Sequence, residues 1–475
     1  MHSKQFYIDG AWVDPEGRDT IDVQNPATEQ TIGQVIEGTR GDVDRAVLAA
    51  RKAFQSFSQS SVKDRIGCLE RLLASFEKRK ADIAKALSEE MGSPITAANN
   101  IQAASGVNHL KEMLRTLPDY EFDSMQGNTL ITREPIGVCG MITPWNFPVN
   151  QIICKVAPAI AAGCTMVLKP SEEAPLSGLV FAEIVDDADL PPGVFNLVNG
   201  YGPTVGAAIA AHPGIDMVSF TGSTRGGIAV AKAAADTVKR VAQELGGKAP
   251  NILLDDVDFE KAVPPGVARC FGNAGQSCSA ATRMLVPRSR QPEVTEIARK
   301  VAGTYVLGDP SREDVNMGPM VNATQFEKVQ DLIQSGIDEG ATLIYGGTGR
   351  PEGLNEGFFV KPTIFSDVRN DMRIAREEIF GPVLSIIPYD TEEDVIEIAN
   401  DTPYGLSAYV QSGSHDRARK IGRFLRAGNV HLNYPPVDRG APFGGYKQSG
   451  NGREWGAFGL EEYLETKAII GYGEE

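Results

Sequence analysis

"TMVLKPSEEAPLSGLVFAEIV", residues 165–185, changes character at Lys169-Pro170. Its first part is short and, after Thr165, apolar up to Lys169, the pattern of a strand buried on both faces. A proline and two acids then break the run, and the remaining residues read as a helix. A buried strand ending in a polar turn and passing directly into a helix is the unit of a parallel sheet covered by helices. The unit recurs: "GVCGMI" runs into "TPWNFP" (137–148), "VFNLVNG" into "YGPTVGAAIAA" (194–211), and "MVSF" into "TGSTRGGIAVAKAAA" (217–235). Ligands of such sheets bind beyond the carboxyl ends of the strands. Thr143, Asn146, Lys169, Glu172, Thr221 and Ser223 fall there.

A second alternating series starts near residue 250, with "NILLDD" (251–256), "TRMLVP" (282–287), "TLIYGG" (342–347), "GPVLSIIPY" (381–389), "LSAYVQS" (406–412) and "NVHLN" (429–433). Residues 42–117 read as helical. The fold class is therefore α/β, with two doubly wound α/β domains joined near "ELGGKAP" (244–250). Between the helices and the first strand, residues 119–137 alternate on either side of Gly127-Asn128 and read as a β-hairpin. "YLETKAIIGY" (463–472) is strand-like and suits pairing with it.

The formal net charge of −16 speaks against nucleic acid or an anionic membrane as a general partner. The start, "MHSKQFYIDGAWVDPEG", has neither a basic leader nor an apolar core, so no secretory signal is expected. The best apolar run, "VAPAIAAGCTMVL" (156–168), falls well short of the roughly 20 residues that cross a bilayer. It reads as a buried helix entering a buried strand. The six cysteines form no CxxC pair and no Cys/His cluster, so no metal is expected. Scattered thiols in an acidic chain suit a reducing cytoplasm.

One cysteine stands apart. "FGNAGQSCSA" (271–280) surrounds Cys278 with glycine, serine and alanine, leaving its sulfur approachable. A free thiol, with a pKa of about 8.5, needs a base to become a nucleophile at neutral pH. None of the five histidines (2, 109, 212, 415, 431) lies in a comparable loop. Glu244, before the double glycine of "QELGGKAP" (243–250), is the best substitute, because a partly apolar cavity raises a carboxylate's pKa to a useful value. A surface glutamate at a helix end is the alternative. Asn146, held between two prolines in "TPWNFP", offers a fixed carboxamide to an oxyanion, or else satisfies its own turn.

The cofactor signals are individually ambiguous. Gly200, Gly202 and Gly206 make a GxGxxxG, one residue longer than the dinucleotide fingerprint. "FTGSTRGG" (220–227) is a strand-to-helix turn able to meet a phosphate, or simply a tight turn. In "LKPSEE" (168–173), Lys169 and Glu172 suit ribose hydroxyls, and an acid there favours NAD over NADP. Equally, Ser171 caps a helix whose first turn is acidic.

Taken together, "TPWNFP", "LKPSEE", "FTGST", "QELGGKAP", "GNAGQSC", "EEIFGPV" (377–383) and "PFGGYKQSGNGRE" (442–454) resemble, in identity and order, the motifs of the NAD(P)-dependent aldehyde dehydrogenase superfamily. The resemblance covers essentially the whole chain. It implies that Cys278 attacks the aldehyde, that the Asn146 amide and the Cys278 N–H hold the oxyanion, and that Glu244 activates the water that hydrolyses the thioester. For the cofactor, NAD with NADP also possible, it implies a site formed by Ile142, Thr143, Pro144, Trp145, Lys169, Ser171, Glu172, Gly202, Phe220, Thr221, Gly222, Ser223, Leu245, Gly246, Glu378 and Phe380. Glu378 falls to the nicotinamide ribose, Phe380 to its ring and Ser223 to the pyrophosphate. Glu454 matches a second acid, either a proton relay or half of a structural ion pair.

By the same resemblance Phe147, Gln151, Cys154, Ser277, Ser279, Arg439 and Phe443 line the substrate tunnel. Arg439 either pairs with the carboxylate of a semialdehyde or forms a surface pair with Asp438. The implied domains are residues 1–118 and 138–246 for NAD, 247–450 for catalysis, and 119–137 with 460–475 for assembly into a homodimer or homotetramer. The partner is a small-molecule aldehyde. A CoA-acylating relative typically lacks an acid at the Glu244 position. A non-catalytic binding descendant has no need for Cys278, Glu244 and Asn146 together, and a cofactor-free cysteine hydrolase leaves Lys169, Ser223 and Glu378 without a purpose.

Overall fold

The structure, a computed structural model, describes residues 2–473; Met1, and Glu474 and Glu475 at the end of the segment expected to serve assembly, lie outside the described residues. Five strands run parallel in the first sheet, in the spatial order Arg240–Glu244, Met217–Thr221, Val138–Ile142, Thr165–Lys169, Phe195–Leu197. The order reverses between the strand first in sequence and its two neighbours, which creates a crevice at their carboxyl ends. Ile142, Lys169, Thr221 and Glu244 are each the last residue of a strand facing that crevice.

Burial explains the strand sequences. Val138–Ile142 and Thr165–Lys169 are buried at every position, as a doubly covered sheet requires. The helix Pro148–Ala162 is buried at all positions but Asn150, so the long apolar run is a core helix entering a core strand. Arg40–Phe57 and Val62–Met91 both open with reciprocal capping boxes, Thr39 with Asp42 and Ser61 with Asp64.

The second sheet has the order Thr342–Tyr345, Thr363–Ser366, Val383–Tyr389, Arg283–Pro287, Pro250–Leu253, Ser407–Gln411, Asn429–Leu432, parallel except for the first. Each large sheet has its own hydrophobic core. The hairpin Asp123–Gln126 and Thr129–Pro135 turns at Gly127-Asn128, and Leu464–Ile469 pairs antiparallel with its second strand, making a separate three-stranded sheet.

Several readings need correction. Glu244 ends a strand and is buried, so it is no surface residue at a helix end. Ser171 is not a helix cap; the helix begins at Pro175, and the Ser171 hydroxyl instead accepts the Glu173 amide hydrogen at 3.2 Å. Phe6–Ile8 and Ala11–Val13 extend one edge of the first sheet, and Gly450–Asn451 closes the other beside Gln243–Glu244. Leu460, Tyr463 and Leu464 join the first core, so the chain returns to it after the second sheet.

Candidate active site

The strand ends build the outer part of the site. The Lys169 ammonium donates to Glu172 at 2.7 Å and to the Pro170 carbonyl at 2.8 Å. Burial opposes ionisation of Glu172, yet the adjacent Lys169 charge and the Gly202 amide hold its pKa below the usual carboxylate range. Ser223 caps the helix Thr224–Ala234 and accepts the Gly226 amide hydrogen at 3.1 Å, leaving a helix N-terminus open to an anion. The Thr143 and Thr221 hydroxyls are buried without a partner among the described residues. Orphaned hydroxyls beside a fixed Lys–Glu pair and a helix N-terminus suit the ribose and phosphate groups of a dinucleotide.

Between the two sheets lies a cavity of about 180 Å³. Asn146, Glu244 and Cys278, on different segments, all line it, together with Pro144, Trp145, Thr221, Gly222, Ser223, Leu245, Gly246, Glu378 and Phe380. Trp145 and Phe380 meet edge to face at 5.4 Å. Ile142, Thr143, Lys169, Ser171, Glu172, Gly202 and Phe220 lie off this wall, along the strand ends and the turns beyond them. Gln325 and Lys328, on the helix Ala323–Asp338, also line the cavity. The sequence reading missed them, because polar residues on an amphipathic helix look like its solvent face.

Cys278 sits on a constrained loop. Asn273, Ala274 and Gly275 are successively left-handed, at φ of 54°, 53° and 74°. Strain of this kind persists only where the surroundings impose it, and it clusters at functional sites. The Asn146 amide donates to the Gln276 carbonyl at 3.2 Å, and Asn273 donates to the Asn146 carbonyl at 2.9 Å, so the carboxamide and the nucleophile loop hold each other.

The double glycine after Glu244 is a packing requirement. A Cβ on Gly246 would stand 2.4 Å from a Glu378 oxygen, and one on Gly247 would stand 2.3 Å from the Cys278 carbonyl. The Gly247 amide also donates to Glu378 at 2.8 Å. No side chain fits between these groups.

Burial raises the Cys278 thiol far above its ordinary value, and the nearby Glu378 and Glu244 carboxylates raise it further. Glu244 is likewise pushed well above the carboxylate range, first by burial and then by Glu454, and neither of its oxygens has a partner among the described residues. A carboxylate deprived of water and hydrogen bonds is an unusually strong base. Behind it, Lys155 and Glu454 form a buried ion pair, and the Cys154 thiol donates to the other Glu454 oxygen at 3.2 Å. The sequence reading noted Glu454 but missed Lys155, whose place within an apolar helix gave no hint of a partner far along the chain.

A second cavity, of about 250 Å³, opens beside the nucleophile loop and is lined by Phe147, Ser277 and Ser279. Gln151 and Cys154 are buried off this wall, against one another and Glu454. Phe443 stacks on Trp455 at 4.5 Å and is also off the wall. Arg439 lies off it too, in the charge field of Glu112 and His109, with a buried Nε that has no partner among the described residues and no ion pair to Asp438.

The sequence matches the aldehyde dehydrogenase family model over residues 12–469. A 3-succinoylsemialdehyde-pyridine dehydrogenase from a Pseudomonas species is 56% identical over 99% of this chain and 98% of its own length. The crystal structure of a cysteine-to-alanine mutant of aldehyde dehydrogenase C from Pseudomonas syringae, complexed with NAD+ and octanal, superimposes with a TM-score of 0.99 at 56% identity, covering 100% of this chain and 98% of that one. An aldehyde dehydrogenase from Mycobacterium tuberculosis complexed with NAD+ superimposes with a TM-score of 0.96 at 40% identity, covering 98% of both chains. With sequence and architecture agreeing over nearly the full length, the chain belongs to the aldehyde dehydrogenase family.

Proposed function

We propose that the protein oxidises an aldehyde to its carboxylic acid with NAD, through a covalent intermediate on Cys278. The observation that carries this reading is the meeting of Cys278, Asn146, Glu244 and Glu378 in one cavity at the strand ends.

The chain's own residues divide the work. Glu244 takes the Cys278 proton, and the sulfur adds to the aldehyde carbon. The Asn146 amide and the Cys278 N–H hold the oxygen that becomes negative; one such donor is worth about 3–4 kcal/mol in the transition state. Bound NAD would supply the acceptor for the hydride of this carbon, and Cys278 then carries the acyl group as a thioester. Once Glu244 has released the thiol proton to solvent, it removes a proton from water; the hydroxyl displaces the sulfur as thiolate, which takes a proton back from Glu244, and the acid departs. Lys169, Glu172, Ser223 and Glu378 would hold the dinucleotide. The Glu172 carboxylate favours NAD by repelling a 2′-phosphate, without forbidding NADP.

An unpartnered Glu244 supports water over a CoA thiol as the acceptor of the acyl group. Residues 1–118 and 138–246 serve the cofactor, 247–450 catalysis, and 119–137 with 460–475 assembly into a dimer or tetramer. No helix among the described residues is long and apolar enough to cross a membrane. The cysteines, all free, suit the cytoplasm. The test is direct: NADH absorbance and acid should appear in equal amounts when aldehyde and NAD are supplied. Oxidation that persists in Cys278→Ala would overturn the reading.

A further inference from the structure

The cavity of about 250 Å³ beside Ser277 and Ser279 contains one cation, Arg269, and no aspartate or glutamate among the described residues on its wall. Arg269 is half-buried, and among the described residues it has no ion pair. Its guanidinium lies 5.4 Å from the centre of the Tyr409 ring and 5.7 Å from that of Tyr434. The two rings make a platform that holds the charge without neutralising it.

The platform is rigid. Tyr409 donates to the Ser279 carbonyl at 2.9 Å, beside the nucleophile. Asn433 and Tyr434 are both left-handed, at φ of 55° and 47°, and the Tyr434 hydroxyl is fixed by Asn251 at 2.8 Å and the Ala262 carbonyl at 3.1 Å. His431 stacks on Tyr409 at 4.8 Å; burial and the Arg269 charge depress its pKa to about 4, so it stays neutral and adds no second charge.

A half-buried arginine with no ion pair among the described residues, in a pocket without acids, is a receptor for an anion. We infer that the preferred substrates are aldehydes carrying a carboxylate at the far end, anchored by Arg269 while the aldehyde reaches Cys278. This rests on the aldehyde-oxidation reading above and moves the anchor from Arg439, which lies off the cavity, to Arg269.

The test compares kcat/KM for succinic semialdehyde with butanal, and for glutaric semialdehyde with pentanal, within each protein, so that losses common to both substrates cancel. The wild type should favour the carboxylated member by roughly tenfold or more. Arg269→Gln should bring the ratio close to one, and Arg269→Lys should restore part of it. Calorimetric binding of glutarate, which needs no chemistry, should weaken about tenfold in Arg269→Gln. A wild-type ratio of one or below, or a glutarate affinity unmoved by Arg269→Gln, overturns the inference. If no aldehyde yields NADH, the oxidation reading fails by itself, and glutarate binding still decides the role of Arg269.

Discussion

Lys155 and Glu454 face each other in the interior, the lysine fully buried and the glutamate nearly so, on segments that meet only in the folded chain. Removing one member leaves the other charged in a dry site, a loss of about 3–5 kcal/mol. Lys155→Met alone should therefore lower stability sharply, and Lys155→Met with Glu454→Leu should recover much of it. Chemical denaturation of these two variants, of Glu454→Leu alone and of the wild type completes the cycle.

Burial first, and the Glu454 charge after it, raise the pKa of Glu244. As the proposed base, Glu244 acts only when ionised, so thioester hydrolysis should decline as pH falls through its raised pKa. Removing the Glu454 charge lowers the Glu244 pKa, so Glu454→Gln should move the acid limb to lower pH. Glu244→Gln should slow the first release of NADH and stop turnover at the thioester, as single-turnover kinetics will show.

Gly247→Ala is expected to cost activity out of proportion to its size. The added methyl would collide with the Cys278 carbonyl and displace the nucleophile loop. Misplacing a reacting group by about 1 Å costs roughly a hundredfold. The signature is a fall in kcat with little change in NAD affinity by fluorescence titration.

Glu172→Ala should narrow the preference for NAD over NADP. Losing one like-charge contact corresponds to roughly tenfold, about 1.4 kcal/mol. Comparing kcat/KM for the two cofactors in wild type and variant measures it; a wild type that prefers NADP would refute the role given to Glu172.

Glu90 makes stability depend on pH. It accepts the Leu176 and Ser177 amide hydrogens at 2.6 and 3.0 Å, and burial raises its pKa to about 7. A raised carboxylate binds its proton more tightly in the folded state. Its contribution is thus complete below the unfolded value of about 4.5 and is lost as pH rises to about 7, a change of about 3 kcal/mol. Glu90→Gln removes this slope, so the stability of the wild type relative to the variant should fall from pH 5 to pH 8 in parallel denaturation series.

What the sequence made legible was local. Apolar runs with polar ends located the central strands of both sheets, and with them the strand-end positions of Thr143, Lys169 and Thr221. Gly127-Asn128 announced its hairpin. Glu244 was harder, because "VAQELGG" suits a helix end as well as a strand, and its burial depends on the second sheet. Short edge strands such as Phe6–Ile8 and Gly450–Asn451 escaped notice, since their pairing is chosen by distant partners. Lys155 and Arg269 escaped for the same reason: a charge on an apolar helix declares neither its counter-ion nor its cavity.

The pairing of Gly450–Asn451 with Gln243–Glu244 has a consequence for biosynthesis. On a ribosome the first sheet emerges early, but the backbone beside Glu244 stays an open edge until the last stretch of the chain arrives. An unpaired edge invites mispairing with other strands. The nascent protein must therefore hold Glu244 in an unfinished sheet throughout synthesis of the second sheet, and a chain truncated before residue 450 would be released with that edge exposed.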